Sequence, residues 1–220
     1  MPQPSERLHP DPPEVFPNAP RTCLWKSDQT MSRVYHLDYP PKSFNPGTRT
    51  EPCGRFHFFE ADDGSRVPVL YAAAAVDAAI SETVFHDLPV SPNQPAVVTE
   101  SRLSKYGLVI IRALRDLTLI ELYGHGLRQL GLRPENLTST GPGEYPRTVR
   151  WARALHAAVP EADGLVWMSR QFNAEQALIL FGDRVQEADL EVIVEGVPLR
   201  TGAGRAFVNH AANAAGVLIV

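Results

Sequence analysis

Apolar residues fall in short runs whose period changes along the chain. Residues 67–73 (VPVLYAA) form a continuous apolar run behind the turn residues Asp62-Asp63-Gly64, which predicts a buried strand. From Val76 to Phe85 the period becomes helical, because Val76, Ile80 and Val84 recur at i, i+4 and i+8. Runs rich in β-branched residues predict strands at 96–99, 108–113 and 117–122. A short helix at 127–130 leads into a polar Gly/Pro loop, 134–145, and Pro146 suits the first turn of the helix that follows. That helix carries Val149, Ala152 and Leu155 or His156 on one face. Strands at 164–168, 177–181 and 190–194 and a closing helix near 206–214 complete an α+β pattern in one domain.

Proline divides the chain unevenly. Of 20 prolines, ten lie in the first 50 residues, and seven of those precede Arg21. Proline fixes φ and lacks a backbone donor, so residues 1–20 form neither a helix nor an inner strand. They are expected to be an extended arm, either disordered or wrapped on the body. The folded domain is expected to occupy 21–220, with order beginning near Cys23-Leu24-Trp25.

Composition narrows the function classes. The 220 residues are 44% hydrophobic and 21% charged, ordinary values for a globular chain. With 21 basic against 25 acidic residues the formal charge is −4, which offers no basic footprint for direct nucleic-acid binding. The N-terminal segment holds no apolar core of a secretory signal, and no run approaches the roughly 18 apolar residues of a membrane span. Cys23 and Cys53 form neither a C-x-x-C nor a zinc spacing, and the seven histidines show no i, i+4 pair. A cytoplasmic, reduced setting without a metal is the expectation.

The usual catalytic signatures are missing: no G-x-S-x-G, no Walker loop and no H-E-x-x-H. Thr201-Gly202-Ala203-Gly204 reads as a loop leading into a helix rather than a phosphate cradle. More informative is the stretch from Gly54 to His86. Arg55 stands beside aromatics, Tyr71 lies on the predicted strand, and Glu82 follows eleven residues later on a helix of small and apolar residues. Glu82 projects near Ala78 and His86, away from the Val76/Ile80/Val84 stripe, and a carboxylate among apolar neighbours is poorly solvated. It is alternatively a partner of His86 at i, i+4 on a wet face. Taken alone, Arg55 reads as a surface ion-pair residue and Tyr71 as a core aromatic. Further on, an apolar strand ends in Ser169-Arg170, which either grips an anion or is simply solvated.

In their order and contexts, GRF, VLYAAAAVDAAISE and DGLVWMSR, these residues resemble the RES-domain family, named for its arginine, glutamate and serine. The resemblance runs from Ser32 to Phe181 and includes SRVYH and YPRTVRWARALHAAVPEADGLVWMSR. It implies an ADP-ribosyltransferase-like split β-sheet with flanking helices and a cleft for NAD+. It also implies a toxin of a bacterial toxin–antitoxin pair that consumes NAD+ by hydrolysis or phosphorolysis at the nicotinamide–ribose bond, with inorganic phosphate as a co-substrate in the second case. Carried over, Glu82 stabilises the developing ribosyl cation and Arg55 clamps the diphosphate. Tyr71 borders the nicotinamide, Ser169 fixes ribose or phosphate, and Arg33 and Arg170 help to hold an anion. The implied partner is an antitoxin with a DNA-binding helix-turn-helix that blocks the cleft; homodimerisation stays open. Transfer of ADP-ribose to a protein, or a binding cleft without catalysis, are the alternatives. The chain departs from the family pattern in FHFF after Arg55, in the insertion at 60–66, expected to be a hairpin tip, and in the proline arm.

Overall fold

A computed structural model describes residues 10–47 and 54–220. Twelve strands run in chain order: β1 (Thr22–Trp25), β2 (Thr30–His36), β3 (Phe59–Glu60), β4 (Arg66–Val67), β5 (Val69–Ala73), β6 (Ala96–Val98), β7 (Tyr106–Ala113), β8 (Leu117–Glu121), β9 (Gly164–Met168), β10 (Gln176–Phe181), β11 (Leu190–Pro198) and β12 (Val217–Ile219). The helices are α1 (Val76–Thr83), α2 (Glu100–Leu103), α3 (Gly124–Gln129), α4 (Tyr145–Ala158) and α5 (Gly202–Ala215).

Eight strands make one mixed sheet in the order β1-β8-β9-β10-β5-β2-β7-β11, with β8 and β9 its parallel neighbours. Its seam lies between β5 and β2, with five strands on one side and three on the other. β5 pairs with β10 over five positions and β2 with β7 over seven, whereas β5 and β2 meet at the single pair Ser32↔Ala73. Side chains from both sides of that seam share one core: Leu70, Ala72, Leu178 and Leu180 pack with Met31, Tyr35, Val109 and Ile111. Because strand side chains alternate, the neighbours of those residues face outwards. Ile179, Phe181 and Leu165 lie under α4 through Val149, Ala152 and Leu155, and Val34, Ala73 and Leu108 lie under α1 and α5 through Ile80, Val84 and Val208.

Local chemistry explains several boundaries. The run predicted as one strand at 67–73 breaks at Pro68, which has no N–H to donate, so the chain leaves the β3–β4 hairpin and restarts as β5. Residues 60–66 do form a hairpin tip, where Gly64 takes φ +82°. Thr99 is not the end of β6: its Oγ1 accepts from the Arg102 amide at 3.2 Å and caps α2. Gly164 is required by packing, because a Cβ there would stand 1.9 Å from the Ile179 carbonyl oxygen. α5 ends at Gly216, in the left-handed region at φ +66°, and the last three-residue strand follows at once to pair in parallel with β6.

Residues 10–20 of the proline-rich segment lie along the body, whereas 1–9 fall outside the described residues, as does Cys53. The Pro10 carbonyl accepts from Trp151 Nε1 at 2.9 Å, Asp11 pairs with Arg150, and the Phe16 ring stands against Trp151. No described helix is long and apolar enough to cross a membrane.

Candidate active site

The seam between β2 and β5 opens into a cavity of about 800 Å³, bordered by Arg33, Arg55, Tyr71, Glu82, Tyr145 and Trp167 among others. That volume lies within the range of small-ligand sites. A second hollow of about 580 Å³ lies behind α1, lined by Phe85, Leu88 and the proline-containing segment 89–95, and among the described residues no ionisable side chain lines it. The chemistry gathers in the first.

Glu82 enters from the last turn of α1. Its Oε1 accepts three hydrogen bonds from the turn that ends β9: Ser169 Oγ at 2.7 Å, the Arg170 amide at 2.6 Å and the Gln171 amide at 3.3 Å. Oε2 faces the guanidinium of Arg55, whose Nη1 stands 4.0 Å away. One carboxylate oxygen is thus immobilised by the protein and the other is turned to the arginine in the cavity. Glu82 does not pair with His86. The His86 ring is engaged by Asp87 at Nδ1 (2.7 Å) and by the Tyr145 hydroxyl at Nε2 (3.0 Å).

Arg55 is buried, at 4% exposure, so the surface ion-pair reading is overturned. Its carbonyl is held by Thr148 Oγ1 and its Nη2 donates to the Thr140 carbonyl at 3.3 Å, while its buried Nε makes no hydrogen bond among the described residues. Its Nη1 is the group turned toward the Glu82 carboxylate, on the cavity side. Arg170 is exposed and donates to the same Thr140 carbonyl at 2.9 Å.

Tyr71 packs edge-on to Trp167 and His57, with its oxygen accepting from the Phe56 amide at 3.0 Å. It is both core-packed and cavity-lining, and burial pushes its phenol well above the usual range. His57 shares this wall, and burial lowers its imidazole to about 4, so it is neutral at physiological pH.

Two residues stand where substrate contact was not expected to leave them. Ser169 is fully buried, with its hydroxyl donating to Glu82 and accepting from the Phe172 amide at 2.9 Å. It is neither solvated nor open to a ligand, and it reaches the cavity through the carboxylate. Arg33 donates to the Tyr71 carbonyl at 3.3 Å and to the Ser43 carbonyl at 2.8 Å, and burial lowers its guanidinium to about 10. It ties β2 to β5 across the seam. The sequence reading passed over Thr140, Tyr145, His57 and Trp167. Tyr145 and Trp167 stand in the segment that carries the family resemblance, YPRTVRWARALHAAVPEADGLVWMSR, whereas Thr140 and His57 carried no signal of this role.

The family model of the RES domain matches residues 30–201. A chain of the M. tuberculosis MbcT–MbcA toxin–antitoxin complex superposes with a TM-score of 0.58, covering 87% of this chain and 92% of that chain, at 15% sequence identity. At that identity the likeness is one of fold. No curated protein matches the sequence.

Proposed function

The chain belongs to the RES-domain family, and on that premise we propose that its cavity binds NAD+ and cleaves the nicotinamide–ribose bond, passing ADP-ribose to water or phosphate. The observation that carries the reading is the carboxylate of Glu82, one oxygen held by three donors and the other facing Arg55 in the cavity. As nicotinamide leaves, positive charge grows on the ribose. A carboxylate already fixed in place stabilises that charge more than it stabilises the substrate and needs no reorganisation to do so. Arg55, at the border of the cavity, offers a planar fork to a diphosphate oxygen, and Tyr71 and Trp167 offer aromatic surface to the leaving ring. The one-pair seam supports reading the sheet as the split sheet of the ADP-ribosyltransferase type.

In this reading the protein is the toxin of a toxin–antitoxin pair and acts on cytoplasmic NAD+. Its partner is a cognate antitoxin, of helix-turn-helix type, that covers the cavity; the likeness to a chain of the MbcT–MbcA complex supports such a partner. DNA contact then belongs to the antitoxin, in keeping with the formal charge of −4 here. The test is incubation of the purified protein with NAD+ labelled in the adenosine half, with and without cell lysate. Low-molecular-weight ADP-ribosyl product, absent with Glu82→Ala, is expected. A discrete labelled protein in the lysate, without small product, would instead make this a protein ADP-ribosyltransferase.

A further inference from the structure

A second chain of polar groups lines the same cavity, beside Glu82 and Arg55. Tyr145, buried at the start of α4, places its hydroxyl 3.0 Å from His86 Nε2, and His86 Nδ1 lies 2.7 Å from Asp87 Oδ1. All three border the cavity with Glu82. A carboxylate only accepts, so Nδ1 carries the imidazole proton, Nε2 offers its lone pair, and the phenol donates to it. The phenolic proton is thereby committed to His86, and the oxygen keeps lone pairs for another donor.

The line is held from several sides. Arg102 donates to the Thr83 carbonyl at 3.0 Å with the same Nη2 that stands 3.6 Å from Asp87. Gln171 Nε2 donates to the His86 carbonyl at 2.9 Å, while its amide serves Glu82. The charged groups acting on the phenol are Arg55, Arg170, Glu82 and Asp87, and burial raises it above the usual tyrosine range. A phenol in that setting stays protonated unless a base beside it takes the proton, and His86 is placed to do so.

Resting on the NAD+ reading, we infer that Asp87, His86 and Tyr145 form a proton relay that activates the acceptor, and that the acceptor is therefore water. Water must lose a proton to become the new ribosyl hydroxyl, whereas a phosphate dianion arrives already charged and needs no base. The step balances. The C1′–N bond breaks with its electron pair on nicotinamide, and the water oxygen bonds to C1′. The water proton passes to the Tyr145 oxygen as the phenolic proton passes to His86 Nε2. The imidazolium, paired with Asp87, then releases a proton to solvent, to which the His86 side chain is 20% exposed. The net change is NAD+ plus water to ADP-ribose, nicotinamide and a proton. Tyr145 is the catalytic residue in this step; His86 positions it and takes its proton, and Asp87 positions His86.

The experiment uses the full chain with NAD+ in phosphate buffer and, separately, with azide, an anionic nucleophile that needs no deprotonation. For the wild type, ADP-ribose is expected as the main product even with phosphate present. Tyr145→Phe and His86→Gln are expected to lose roughly 100-fold in hydrolysis with little change in KM for NAD+. Azide should restore nicotinamide release in both and yield the ribosyl azide, which a merely misfolded site would not do. ADP-ribose 1″-phosphate as the main wild-type product, hydrolysis unchanged in the variants, or loss that azide does not restore would each overturn the relay alone. No nicotinamide from the wild type under any condition would overturn the NAD+ reading, and the relay with it.

Discussion

Ser169 donates its hydroxyl to Glu82 Oε1 at 2.7 Å and is itself fully buried, so the serine acts on the cavity through the glutamate. The two residues are 87 positions apart and meet because the turn after β9 lies against the last turn of α1.

Ser169→Ala should therefore lower kcat rather than raise KM. It removes one of three donors to a charged oxygen, a bond of about 1.5–3 kcal/mol, and leaves the Phe172 amide without its acceptor. A 10- to 100-fold fall in kcat with KM within about threefold is expected in steady-state kinetics. A rise in KM with kcat intact would place the hydroxyl on the substrate instead.

Arg55→Lys should show the opposite split. A lysine keeps the charge but loses the planar fork and the contact to the Thr140 carbonyl. KM for NAD+ is expected to rise about tenfold or more, with a smaller effect on kcat, and an unchanged KM would remove Arg55 from substrate binding.

Arg33→Met should unfold the protein more easily. Its guanidinium joins the Tyr71 and Ser43 carbonyls where the strands themselves share one pair. Loss of these part-buried contacts is expected to cost about 1–3 kcal/mol, read as a lower urea midpoint at unchanged m-value. Unchanged stability with weakened NAD+ binding would return Arg33 to a substrate role.

His57 links stability to pH. Its folded pKa of about 4 lies below the 6.5 of a free imidazole, so the unfolded chain takes up a proton that the folded protein refuses. The contribution is complete above pH 6.5 and is lost as pH falls from 6.5 through 4, reaching about 3 kcal/mol. Urea unfolding at about pH 7 and about pH 4 should show a smaller acid loss for His57→Phe than for the wild type. Equal losses would show that the imidazole is already solvated.

Much of the fold was legible because periodicity is a local property. Val149, Ala152 and Leu155 marked the buried face of α4, and Pro146 its start; 164–168 and 177–181 read as apolar strands and fall on β9 and β10. What escaped was short or defined by a distant partner. β12 has three residues and pairs with β6, over a hundred positions away, and α2 has four residues capped by a threonine that reads equally well as strand. The site divides in the same way. Arg55, Tyr71 and Glu82 were identifiable as residue types in context, and they do border one cavity. Which atom each touches depends on tertiary approach: the burial of Ser169 behind Glu82, the use of Arg33 as a staple, and the pairing of His86 with Tyr145 across 59 positions carry no local signal.

The proposed cleavage of NAD+ in this cavity depends on the charge of Glu82. Proton NMR of NAD+ incubated with the wild-type protein and with Glu82→Gln, which keeps the shape but not the charge, tests it most directly. The expected result is free nicotinamide accumulating with the wild type and at least about a thousandfold more slowly with Glu82→Gln, for loss of roughly 4 kcal/mol of transition-state stabilisation. Intact NAD+ with the wild type, or equal nicotinamide release by the two proteins, would contradict it.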